Sequence, residues 1–120
     1  DIQQKFREAC GRVKGHETKM LNQYGIRVST NSVNVFLTGS LSGGTGGGMI
    51  IDMGYCVRHW LSGEGSSLVT AIVPMPNAFS GINVGDRVLA NGYAALMELS
   101  YFCDERTQYI AQFGAAEYSM

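Results

Sequence analysis

A β-branched and aromatic run, Val33-Asn34-Val35-Phe36-Leu37-Thr38, passes directly into a segment, residues 39–48, in which six of ten residues are glycine. The run reads as a buried strand. Residues 49–61 (MIIDMGYCVRHWL) follow, apolar on most sides with Asp52, Arg58 and His59 as polar members, and they read as a buried helix closed by residues 62–65 (SGEG). A strand that feeds a glycine-rich turn opening a helix presents several backbone N–H groups and the positive end of a helix dipole. Glycine tolerates positive φ and lets the backbone approach a phosphate closely. Thr45 adds a hydroxyl donor. The loop therefore suits a di- or triphosphate. It is not a Walker loop, since no lysine follows the last glycine, and GxGxxG spacing fails within residues 43–48. The residues alone leave open a packed turn with no ligand.

The surrounding pattern places this junction in an α/β fold. Residues 2–13 carry Ile2, Phe6, Ala9, Cys10 and Val13 at three- and four-residue spacings, an amphipathic helix with Asp1 already inside it. A chain opening within a helix reads as a piece of a longer protein. Residues 17–32 read as a polar connection. A second strand, residues 68–73, stops at Pro74-Met75-Pro76, because proline cannot donate to a ladder. Residues 77–86 form an Asn- and Gly-rich loop, and residues 87–103 a helix with Arg87, Asn91 and Glu98 on one polar side. Residues 104–120 carry too weak a pattern to place. Alternating strands and helices predict a parallel sheet with ligands at the carboxyl ends of its strands, where the glycine loop sits.

Composition narrows the function. Nine Lys and Arg balance ten Asp and Glu, for a net charge of -1, so no basic field gathers nucleic acid or an anionic membrane. The apolar runs fall far short of the ~18 residues a membrane span needs, and no signal peptide opens the chain. Cys10, Cys56 and Cys103 are too widely spaced for a zinc site, and they read as reduced thiols in a cytoplasmic protein with no membrane insertion. Cys56, Cys103, Met49, Met53, Met75 and Met97 read as packing residues.

Ser42-Gly43-Gly44-Thr45-Gly46-Gly47-Gly48 resembles the tubulin signature loop, [SAG]-G-G-T-G-[SA]-G, shared by tubulins and the bacterial division tubulin; it departs at Gly47, where the family carries Ser or Ala. Ile72-Val73-Pro74-Met75-Pro76 resembles the V-P-x-P that ends the next strand in eukaryotic tubulins. Asn91-Gly92-Tyr93-Ala94-Ala95-Leu96-Met97-Glu98-Leu99 resembles the family helix that begins with a nucleotide-contacting Asn, and the nearest flavour is the divergent bacterial tubulin-like proteins. The resemblance covers roughly residues 33–103. It implies a parallel-sheet, Rossmann-like three-layer nucleotide-binding domain, present in part across residues 1–120. It also implies a filament-forming protein that polymerises head to tail with itself and binds GTP or GDP, with Mg2+ accompanying GTP. By the same resemblance, the amides and hydroxyl of Gly43, Gly44, Thr45, Gly46 and Gly47 hold the phosphates, Asn91 contacts guanine or ribose, and Asp86 is the candidate acid near the ribose. Hydrolysis in this family occurs between subunits. The family's first strand with its own glycine loop, and the loop supplying hydrolytic acids, have no counterpart here, so the chain alone is expected not to hydrolyse GTP.

Other constellations are weaker. Asp52 and His59 with Ser42 or Ser62 could suggest a triad, but Asp52 reads as a first-turn residue favoured by the helix dipole and His59 as a surface or cap residue. Glu98 could act as a general base, though a structural hydrogen bond with its polar neighbours fits it better. The competing function is a tubulin-like scaffold or interaction module without nucleotide turnover.

Overall fold

The computed structural model describes residues 1–26, 32–63, 65–79, 85–113 and 116–119. Helix α1 (Ile2–Gly15) begins because the Asp1 carboxylate accepts a hydrogen bond from the Gln3 N–H at 3.0 Å. Asp1 is thus the cap of α1 and not a residue within it. The helix lays Phe6 against Trp60, ring centroids 5.5 Å apart. A second helix, α2 (Glu17–Tyr24), occupies much of the expected polar connection. Its Met, Leu, Gln and Lys are good helix formers, and Gly25, left-handed at φ 65°, closes it by donating to the Leu21 carbonyl. The remainder of that connection, residues 27–31, lies outside the described residues.

Strands β1 (Asn34–Thr38) and β2 (Leu68–Ile72) pair in parallel, from Asn34 against Leu68 to Thr38 against Ile72. Parallel partners need a crossover, and α3 (Gly44–Trp60) supplies it. Val33, Val57 and Leu61 form the buried core, packed by Val35, Leu37, Met53 and Val69 from the sheet and α3. Only alternate strand residues meet that core: Phe36, Leu68 and Ile72 are exposed on the other face. Both strands are therefore half-buried, where the first was expected to be buried, because among the described residues one helical layer covers one face of a two-stranded parallel sheet.

After β2 a short 3-10 turn (Pro76–Phe79) leads towards α4 (Asp86–Phe102), and residues 80–84 of the expected loop lie outside the described residues. The expected helix over 87–103 is thus present, displaced by one residue. The unplaced tail contains an antiparallel pair, β3 (Ile110–Phe113) with β4 (Ala116–Ser119). Between α4 and β3, the Asp104 carboxylate accepts from both the backbone and the guanidinium of Arg106, which holds that carboxyl below its usual range. Cys103, Met49 and Met97 are exposed, contrary to their reading as core, whereas Cys56 is buried as expected.

Candidate functional site

The segment between β1 and α3 is fixed by its backbone. Gly39 donates to the Ile72 carbonyl at 3.4 Å and Leu41 to the Pro74 carbonyl at 3.3 Å, prolonging the strand pairing past its formal end. The Ser40 hydroxyl also reaches the Pro74 carbonyl and accepts from the Ser42 N–H at 3.1 Å. Leu41 is completely buried and anchors the segment. Pro74 thus contributes its carbonyl, while the Pro76 ring presses on Gly92 of α4, where a Cβ would lie 2.7 Å from the ring.

Helix α3 begins at Gly44, five residues before the expected start at 49, with the Gly47 N–H bonded to the Gly43 carbonyl at 2.9 Å. The glycine segment is therefore a short loop plus the first turn of a helix. Positive φ among the described glycines is confined to Gly25, Gly63 and Gly65, so the conformational freedom expected of the glycine loop is not what it uses. Its glycines instead divide by surroundings. A Cβ on Gly46 would collide with the Ser40 carbonyl oxygen, and one on Gly47 would come within 3.2 Å of the Leu41 carbonyl. Packing demands glycine at Gly46 and leaves Gly47 little room. At Gly43, Gly44 and Gly48 a Cβ would meet nothing within 4 Å.

Those three open glycines line a cavity of about 180 Å³ between the start of α3 and α4, completed by Gly47, Asn91 and Glu98 with the small side chains of Ala94 and Ala95. The first N–H groups of any helix lack intrahelical acceptors, and the cap here, Gly43, has no side chain to satisfy them. The cavity wall therefore offers uncapped amides and the positive end of a 17-residue helix. Beside it, the Ser42 hydroxyl is buried without a hydrogen-bond partner among the described residues. The Asn91 amide donates to the Ser42 carbonyl at a long 3.5 Å, tying α4 to the loop. Asn91 stands in the second turn of α4 and not at its start.

The structure thus brings Gly43, Gly44, Gly47 and Asn91 together around one cavity. Thr45 is exposed in the first turn of α3 and Gly46 faces Ser40, both outside that lining. Asp86, the first residue of α4, is exposed and also outside it, where its charge complements the α4 dipole. Sequence reasoning missed Glu98 as a lining residue, although its spacing of seven from Asn91 already put both on one face of α4. A larger cavity of about 220 Å³, walled by Leu37, Ile50, Val69, Leu99 and Phe102 with Arg58 among its lining residues, is mostly apolar and separate from the glycines at 43–48.

Among the described residues, no triad geometry emerges around Asp52. It lies in the third turn of α3, and the Tyr109 hydroxyl donates to it at 2.7 Å. Tyr109 is buried, stacks on Tyr55 at 4.1 Å and meets Phe102 edge-on. Burial, then the bond to Asp52, pushes the Tyr109 phenol well above its usual range, and burial with the nearby Asp52 raises the Cys56 thiol. Because folding raises the Tyr109 pKa, its contribution to stability is complete below the ordinary phenol pKa of about 10 and fades as pH rises beyond it. Tyr109→Phe should cost about 1 kcal/mol at neutral pH and flatten the loss of stability above pH ~10, read from denaturation midpoints across pH. An unchanged alkaline slope would show that this bond does not govern it.

No helix among the described residues is long and apolar enough to cross a membrane. No curated protein and no solved structure matches the chain. The family model described as "Tubulin like" matches residues 1–119. With nearly its whole length covered, the chain belongs to the tubulin-like family.

Proposed function

We propose that the start of α3 holds the phosphates of GTP or GDP, in a three-layer α/β domain of tubulin type that belongs to a cytoplasmic, bacterial, filament-forming protein. The observation that carries this reading is the group of open glycines. Gly43, Gly44 and Gly48 line the cavity with no neighbour that forbids a side chain. Gly44 and Gly48 lie inside a helix, where glycine is about 1 kcal/mol less favourable than alanine. Neither packing nor φ accounts for them, whereas a ligand pressed against the amides does. The cavity, about 180 Å³, is smaller than the ~300–1,000 Å³ of ordinary small-molecule sites. It accommodates the phosphate end of a nucleotide, leaving the base and most of the sugar to other parts of the protein. Turnover then belongs to the contact between subunits in a head-to-tail polymer, and this chain by itself is inactive.

Titration of the intact protein with pyrophosphate, GDP, GTP and ADP, following the amides of residues 43–48, tests the reading. Shifts with each phosphate ligand support it; a folded sample with no shifts overturns it and favours a scaffold without nucleotide. Pelleting that requires GTP, with none in GDP, supports the filament assignment.

Asn91 gives a sharper prediction. Its Nδ2 is directed to the Ser42 carbonyl, so it steadies the loop while its Oδ1 stays available to a nucleotide. Asn91→Ala should weaken pyrophosphate several-fold, the effect of losing a bond of about 1 kcal/mol, and GTP by more. Asn91→Asp should do worse still, since a carboxylate oxygen would then face the carbonyl. Pyrophosphate binding that Asn91→Ala leaves untouched would remove Asn91 from the loop's support.

A further inference from the structure

A cavity of about 330 Å³ lies between α1 and the carboxyl end of α3, walled by Phe6, Arg7, Gly11 and Lys14 of the first and by Trp60 and Leu61 of the second. It falls within the ~300–1,000 Å³ of ordinary small-molecule sites. The length of α3, about 24 Å, separates it from the open glycines. Arg7 and Lys14 stand seven residues apart, two turns along one face of α1, and Gly11 between them brings no side chain. A Cβ on Gly11 would meet nothing within 4 Å, so neither packing nor φ requires glycine there. Helix α1 carries Lys5, Arg7, Arg12 and Lys14 against Glu8 alone, in a chain whose net charge is -1. Glu8 accepts from the Gln4 side chain at 3.0 Å, and no acid lines the cavity among the described residues. Arg7 makes no ion pair or hydrogen bond among those residues. Beside the two cations, the rings of Phe6 and Trp60, with Leu61, supply an apolar wall.

Such a lining suits a molecule with one charged end and a hydrocarbon body. A guanidinium holds a carboxylate through two parallel hydrogen bonds, and an ammonium adds a point charge. Ser62, also in the lining, turns both its N–H and its hydroxyl on the His59 carbonyl, so the charged head falls to the two cations. The negative end of the α3 dipole is close by and disfavours a doubly charged head such as a phosphate monoester. We infer that this cavity binds a small amphipathic monocarboxylate, its head on Arg7 and Lys14 and its hydrocarbon body against Phe6, Trp60 and Leu61. The site is independent of the phosphate reading above.

Calorimetry of the intact protein with cyclohexanecarboxylate tests it, beside cyclohexylmethanol, which keeps the body without the charge, and acetate, which keeps the charge without the body. Cyclohexanecarboxylate should bind about tenfold or more tightly than either, and it should change the emission of Trp60, the one tryptophan of the sequence. Arg7→Gln and Lys14→Gln should each weaken it about tenfold, the loss expected for a hydrogen bond to a charged group. Arg12→Gln removes the same charge from α1 outside the lining and should leave affinity within about twofold. Equal losses in Arg7→Gln and Arg12→Gln would mean diffuse attraction to a basic helix and overturn the site. Cyclohexylmethanol binding as tightly as the acid would overturn the role of the cations, and no binding of the acid to the wild type would overturn the inference outright.

Discussion

Gly46→Ala is expected to destabilise the fold by more than the about 1–3 kcal/mol typical of an overpacked site, and Gly46→Val to prevent native folding. The ordinary sign is opposite, because replacing a helical glycine by alanine usually stabilises by about 1 kcal/mol. The reversal comes from the Ser40 carbonyl, which occupies the space a Cβ needs. It cannot swing aside as a flexible side chain would. Ser40 lies between Gly39 and Leu41, both of which donate to carbonyls at the end of β2, and its own hydroxyl reaches Pro74. Moving it would break the link between the two strands and the start of α3. Gly47→Ala, at 3.2 Å from the Leu41 carbonyl, should be much milder. Urea midpoints of the two alanine variants give the order, with no folded baseline for Gly46→Val, and a Gly46→Ala protein as stable as the wild type would show that the loop can lift off the helix at little cost.

Much of this arrangement is legible along the chain, and its failures share a cause. The β-branched runs at 33–38 and 68–73 and the periodic stretches around Phe6 and Leu99 mark the elements, since period and residue type are local properties. The first turn of α3 escaped notice because Gly44, Gly46, Gly47 and Gly48 are poor helix formers, and the reason for a helix there is the packing of Gly46 and Gly47 on carbonyls six residues earlier. Helix α2 went unseen because it buries little, so polarity was mistaken for irregularity. Asp52 was misplaced by the same error: with the helix start assigned to residue 49 it looked like a first-turn acid, whereas its partner Tyr109 is 57 residues away in a tail without pattern. At the site, Gly43, Gly44, Gly47 and Asn91 were legible as a group through their resemblance to a signature loop. Which glycines serve the fold and which leave room was not legible, because that distinction depends on what stands opposite each Cα.

That distinction yields the second large effect. Gly44→Ala and Gly48→Ala should each stabilise the folded chain, by up to about 1 kcal/mol from helix propensity, while sharply weakening phosphate binding. A Cβ at either position meets no protein atom within 4 Å, so nothing opposes the gain in helix stability. Both residues line the cavity, and an added methyl there would hold an anion away from the amides. Hydrogen bonds to a charged group contribute about 1.5–3 kcal/mol each. Losing one good contact therefore lowers affinity by roughly tenfold to a hundredfold. Gly11→Ala is the control: it too is an open helical glycine, in α1, and it should stabilise without touching binding. Thermal melts and pyrophosphate titrations on the same samples separate the two effects. Stability rising while affinity falls at Gly44 and Gly48, with Gly11 changing stability alone, is the result expected of a site whose glycines are kept for a ligand. Unchanged affinity in a stabilised Gly44→Ala protein would instead make this turn a structural junction between β1 and α3.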